Sequence, residues 1–166
     1  MIEKSEKELS DYAKEHLYYE IMMVIKARNA IKQNYIIRAK NVIDLGLTIR
    51  NALLESYLLH IRILIDFLIN TERLKDDDVL AIDFFEDIDG WKAIIAPKKE
   101  RLETLKKRLN KELAHLTYTR ANKKPEERGW TLNEHKEILD LLKIFIKKVP
   151  ERRIPEDLRN FVIRNS

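Results

Sequence analysis

Apolar residues recur every three or four positions through most of this chain, and that period leaves little choice of fold. Ala13, Leu17, Ile21, Val24, Ile31 and Tyr35 follow steps of three, four and seven. Such a stripe is one buried face of a long amphipathic helix. Its end falls between Gln33 and Gly46, where neither a proline nor a clear cap marks the break. Thr48 is placed to cap a fresh helix, with Asn51 in its first turn. From there to Thr71 the chain is apolar on most of the helical circumference, as expected of a helix central to a bundle. Leu102, Leu105, Leu109, Leu113 and Leu116 then form a leucine seam. Pro97 just before it suits a first helical turn, which puts this helix at about 98–117. Thr131 and Glu134 have the spacing of a capping box, ahead of a face carrying Ile138, Leu142, Phe145 and Val149. Pro150 stops that helix, and Pro155 opens a short terminal one with Leu158, Phe161 and Val162. The expectation is all-α: a single-domain bundle over residues 1–166, of about four long helices plus one or two short ones.

Composition removes competing classes. With 166 residues the chain suits one ordinary core, and 3 Gly and 4 Pro are too few for a turn-dense β-sandwich. No cysteine is present, so disulfide scaffolds and thiolate metal sites are excluded. The most apolar stretch, residues 42–69, is broken by Asp44, Arg50, Glu55, Arg62 and Asp66, so no membrane span is expected. The first residues, MIEKSEKELSDYAKEH, have no apolar run of the secretory kind, and a cytoplasmic location is expected.

The net charge of +4 hides a strong local division. Residues 72–89 carry eight acidic side chains against two basic ones, with Val79, Leu80, Ile82, Phe84, Phe85 and Ile88 interspersed. They read as an acidic connector pinned to the core by aromatics. An EF-hand starting at Asp76 fails, because Leu80 and Ala81 stand where a ligand and the turn glycine belong. Residues 98–111 carry seven basic side chains against two acidic ones. A positive helix face of this kind is what phosphate attraction requires. On the helix before it, Asn51, Glu55, Arg62, Asp66 and Asn70 follow steps of four and seven. That narrow polar stripe is either a solvent strip, with Arg62 and Asp66 paired across one turn, or the wall of a polar cleft or subunit contact.

The residues with chemistry in them lie on the basic helix. Arg101, Arg108 and His115 are seven apart, along one flank of the leucine seam, where a side chain is partly desolvated yet reachable. The run R-L-N-K-E-L-A-H, Arg108 to His115, resembles the signature of the HEPN superfamily of small all-α bundles, an arginine followed after four to six residues by a histidine. NALLESYLLHIRILIDFL, residues 51–68, is similar to the long helix that precedes the motif helix in such proteins. Leu109 departs from the family pattern, which has a polar residue directly after the arginine; Asn110 stands one position on. The resemblance implies a homodimer in which two motifs line one cleft and cleave or bind RNA without metal. It implies His115 as general acid/base toward a ribose 2′-hydroxyl and Arg108 as stabiliser of the phosphorane, chemistry that suits imidazole and guanidinium. It also implies a toxin–antitoxin or phage-defence setting with an antitoxin protein as partner. In some family toxins a tyrosine shortly after the histidine is modified; here Tyr118 stands three residues on. Arg108 and His115 are thus the catalytic candidates, with Asn110, Arg101, Glu55, Arg62, Asp66 and Tyr118 as supporting ones. The competing expectation is a non-enzymatic helical module for protein–protein interaction.

No cofactor and no metal site is expected. Glu112 and His115 form a Glu-x-x-His pair, but a di-iron site needs a second copy, and Ala13, Tyr57 and Leu132 stand three before the other histidines. Neither an HExxH motif, a P-loop, a dinucleotide fingerprint nor a G-x-S-x-G elbow occurs. Tyr12, Tyr18, Tyr19 and Trp130 have the faces to stack bases, although aromatics on amphipathic helices more often enter the core.

Overall fold

Ser5 sets the start of the first helix. Its hydroxyl accepts from the Glu8 N–H at 3.3 Å, and the Glu8 carboxylate accepts from the Ser5 N–H at 2.8 Å. This reciprocal pair satisfies two donors that a helix start leaves open. A computed structural model describes residues 4–33, 43–114, 124 and 129–165. Helix α1 (Glu6–Tyr12) passes through a π-helical turn (Ala13–Leu17) into α2 (Tyr18–Lys32), and the three run as one rod. Leu9, Ala13, Leu17, Ile21 and Val24 are buried along it. The rod closes at Gln33, inside the expected interval; Tyr35 lies outside the described residues.

Helix α3 (Ile43–Ile69) begins before Thr48, so Thr48 is not its cap. Gly46 and Thr48 are weak helix formers, but neither blocks the backbone, and the helix continues through both. Tyr57, Leu58, Ile61, Leu64, Ile65, Leu68 and Ile69 are each at most 1% exposed. Helix α3 contacts α2, the two helices that follow in sequence, and the connector, which makes it the central element.

Two carboxylates of the acidic connector turn inward to its own backbone. Asp78 accepts from the N–H groups of Leu74 and Lys75 at 3.1 and 2.9 Å, and Asp83 from that of Leu80 at 2.9 Å. Arg73 pairs with Asp83 and donates to the Asp78 carbonyl at 3.1 Å. These bonds fix a short 3₁₀ turn (Ala81–Phe84) with Phe84 fully buried. The expected aromatic pinning is present: Phe84 and Trp91 both pack edge-on against Phe145, and Phe85 stacks on Trp91. The Trp91 indole donates to the Leu68 carbonyl at 3.1 Å.

The motif helix, α4 (Ile88–Ala114), starts ten residues earlier than Pro97 suggests. Asp87 caps it by accepting from the Gly90 N–H at 2.8 Å. A Cβ at Gly90 would fall on the Asp87 carboxylate, so a larger residue there has to push the cap aside. Pro97 therefore sits inside the helix and removes one backbone bond, while buried Trp91, Ile95 and Leu102 hold the helix to the core on both sides of it. Helix α5 (Lys136–Lys148) starts one turn after Thr131. The Thr131 hydroxyl meets the Glu134 carboxylate at 3.1 Å, closing a turn ahead of the helix instead of capping it. Val149 is extended, and a 3₁₀ turn (Glu151–Arg153) leads past Pro155 to α6 (Glu156–Asn165). Among the described residues the result is an all-α bundle of four long helical rods and one short one, with no strand. No described helix is long and apolar enough to cross a membrane.

Candidate functional site

Helix α4 presents two different flanks because its seam, Leu102 and Leu109, is buried. One flank faces α5 and the segment before it. There Arg108 is held from three sides. Its Nε meets Glu112 Oε1 at 3.1 Å, its Nη2 donates to the Gly129 carbonyl at 2.8 Å, and its guanidinium lies 3.9 Å from the centre of the Trp130 ring. The Arg108 side chain stays 31% exposed. A guanidinium stacked on an indole and bonded at two edges is fixed in orientation. Glu112 also neutralises much of its charge, so a phosphate has to compete with that carboxylate. Two turns earlier on this flank, Arg101 is mostly exposed and meets Glu137 of α5 at 3.2 Å. His115 and Tyr118 lie outside the described residues.

The other flank of α4 faces the start of the first rod. Asn110, expected to support Arg108, points away from it into a cleft of about 470 Å³. Arg62, Asp66 and Asn70 of α3 line the same cleft, with Lys106 of α4, Glu20 and Tyr12. The polar stripe of α3 thus walls a cleft over its second half, whereas Asn51 and Glu55 are exposed. Arg62 and Asp66 do not pair with each other. The Asp66 carboxylate binds Lys106 and accepts from Asn70 Nδ2 at 3.4 Å. Lys106 reaches Asp66 from a facing helix, so the within-helix partner is displaced.

Two histidine pairs connect distant segments, and no local motif announces either. His60 Nδ1 lies 2.6 Å from Glu20 Oε2, with Tyr19 edge-on to the ring. His135 Nδ1 lies 3.1 Å from the Tyr57 hydroxyl in the core. Burial pushes the His135 imidazole down to about 4, helped by the charges of Arg28, Lys32 and Lys136 and opposed by a hydrogen bond to the Leu132 backbone. It is therefore neutral at pH 7. Burial also pushes the Tyr57 phenol up. Of the aromatics, Tyr18 packs edge-on against Phe161, Trp130 lies against Arg108, and Tyr19 is 46% exposed.

Among the described residues no group of three or more His, Asp or Glu side chains is placed to hold a metal ion. No protein-family model matches the chain, and no significantly similar curated protein or solved structure was found.

Proposed function

We propose that this chain is a HEPN-like bundle that binds RNA and cleaves it without metal, as a homodimer, with Arg108 and His115 as its working pair. The carrying observation is the state of Arg108: oriented by Trp130 and the Gly129 carbonyl, yet nearly a third exposed, on a helix rich in lysine and arginine. A pre-oriented guanidinium loses little freedom on meeting phosphate oxygens, and the surrounding positive charge raises the local concentration of a polyanion. In this scheme His115 takes the proton from the ribose 2′-hydroxyl. The 2′-oxygen bonds to phosphorus as the bond to the 5′-oxygen breaks, His115 gives its proton to that leaving oxygen, and Arg108 stabilises the charge on the phosphorane. The cellular setting, a toxin or phage-defence protein countered by an antitoxin, rests on the family resemblance.

The test compares wild type, His115→Ala and Arg108→Ala, by growth after induced expression and by cleavage of labelled RNA in EDTA. Loss of the general acid/base lowers the rate about 10²–10⁴-fold. Undiminished cleavage by His115→Ala removes the assignment, and so does cleavage abolished by EDTA. If wild type neither binds nor cuts RNA, a helical protein-interaction module becomes the better description. A specific observation favours that second possibility: Leu45, Leu59 and Ile63 of α3 are each more than a third exposed, at helical spacing.

A further inference from the structure

The cleft between the first rod, α3, the connector and α4 lies on the flank of α4 away from Arg108, and the proposed RNA chemistry does not use it. Its volume, about 470 Å³, falls in the range of small-molecule sites, roughly 300–1,000 Å³. Tyr12, Ile63, Leu74 and Val79 give it an accessible apolar lining, and Arg62, Asn70, Lys106 and Asn110 supply donors.

Most of its charges are already committed. Asp66 binds Lys106, Glu20 binds His60, and Asp78 caps the backbone at Leu74 and Lys75. Arg62 is the exception among the cations lining the cleft. It joins no ion pair there, and its Nε is shielded from solvent without a hydrogen-bond partner. A buried donor left unmade is costly, and a small turn of the guanidinium toward an acceptor in the cleft would recover it. The guanidinium fork matches a carboxylate through two parallel bonds. Asp77 and Asp78 line the cleft as well, and with Glu20 and Asp66 they oppose the entry of a multiply charged anion. The wall formed by Tyr12 and Leu17 adjoins the π-helical turn, a distortion found frequently at functional sites.

We propose that this cleft binds a small organic carboxylate with an apolar body, its carboxylate anchored on Arg62 and its body lying along Ile63, Leu74 and Val79. The single negative charge satisfies the arginine, and the acidic surround selects against nucleotides and inorganic phosphate.

The test titrates isotopically labelled full-length protein with hexanoate and with phenylacetate. Hexanamide serves as the uncharged counterpart of the first, and AMP and inorganic phosphate as polyanions. The side-chain amide signals of Asn70 and Asn110 report on the cleft. Saturable shifts are expected with the two carboxylates. Hexanamide should bind about tenfold more weakly or worse, as loss of a charge-assisted pair implies. Arg62→Gln should weaken carboxylate binding about as much, and Arg62→Lys, which keeps charge without the fork, less. Unchanged amide dispersion elsewhere shows that the variants are folded. No shift with either carboxylate overturns the proposal. So does equal binding of hexanamide, unaltered binding by Arg62→Gln, or tighter binding of AMP or phosphate.

Discussion

Acid should destabilise this bundle through one histidine. His135 is only 4% exposed and its imidazole is pushed down to about 4, against about 6.5 in an unfolded chain. Protonation therefore favours the unfolded state. The stability is whole above pH 6.5 and is lost as pH falls toward 4. Linkage with these two values gives about 2–3 kcal/mol lost from this group at pH 4.5 and almost none at pH 7. The surroundings explain the sign: the ring faces the Tyr57 hydroxyl, and the nearby charges of Arg28, Lys32 and Lys136 are all positive. Urea unfolding of wild type and His135→Phe, followed by far-UV circular dichroism at pH 7 and 4.5, isolates the effect. Carboxylates and the His60–Glu20 pair contribute equally to both proteins, so they cancel in the difference. Wild type should lose about 2 kcal/mol more than the variant between the two pH values. An equal loss in both would refute the reasoning, and so would an NMR titration placing His135 at or above about 6.5.

Other perturbations follow from single contacts. Leu109→Ala should cost about 2–5 kcal/mol by chemical denaturation, because Leu109 is fully buried at the centre of the seam. Asp87→Ala removes the cap of α4 and should destabilise by about 1 kcal/mol, visible as a lower melting temperature. Arg152 bridges Glu6 and Glu86 at the surface, so Arg152→Ala should cost less than about 1 kcal/mol, and that difference should vanish in high salt.

What the sequence made legible was the part written in local period. The stripe from Ala13 to Val24 and the prolines at 150 and 155 each act within a few residues, and those elements lie where their patterns put them, while Leu102 and Leu109 of the leucine seam are buried. The start of α4 was misread because Pro97 is a stronger local signal than the Asp87–Gly90 cap, although tertiary burial of Trp91 and Ile95 decides the outcome. Glu20–His60 and Tyr57–His135 span 40 and 78 residues, and no periodicity reports a partner at that range. The same reason took Asp66 from Arg62. Charge along one helix predicts an i,i+4 pair, but the facing helix brought Lys106 closer. Asn110 was attached to Arg108 by proximity in sequence, and two residues of helical rotation carry it to the other flank.

The π-helical turn has a consequence for the phase of the first rod. Leu9, Ala13, Leu17, Ile21 and Ile25 are all buried, and they advance in uninterrupted steps of four. On a regular α-helix each such step overshoots a full revolution by about 40°, so four in a row would wind the apolar line nearly halfway round the rod. The wider turn at Ala13–Leu17 fits more residues into a revolution and winds the line back. It behaves as a one-residue insertion that the rod has absorbed without leaving the bundle. Deleting Lys14 should therefore allow a continuous α-helix with Leu9 and the Ser5 cap still in line with everything that follows, whereas tightening the turn without a deletion would rotate them off the buried face.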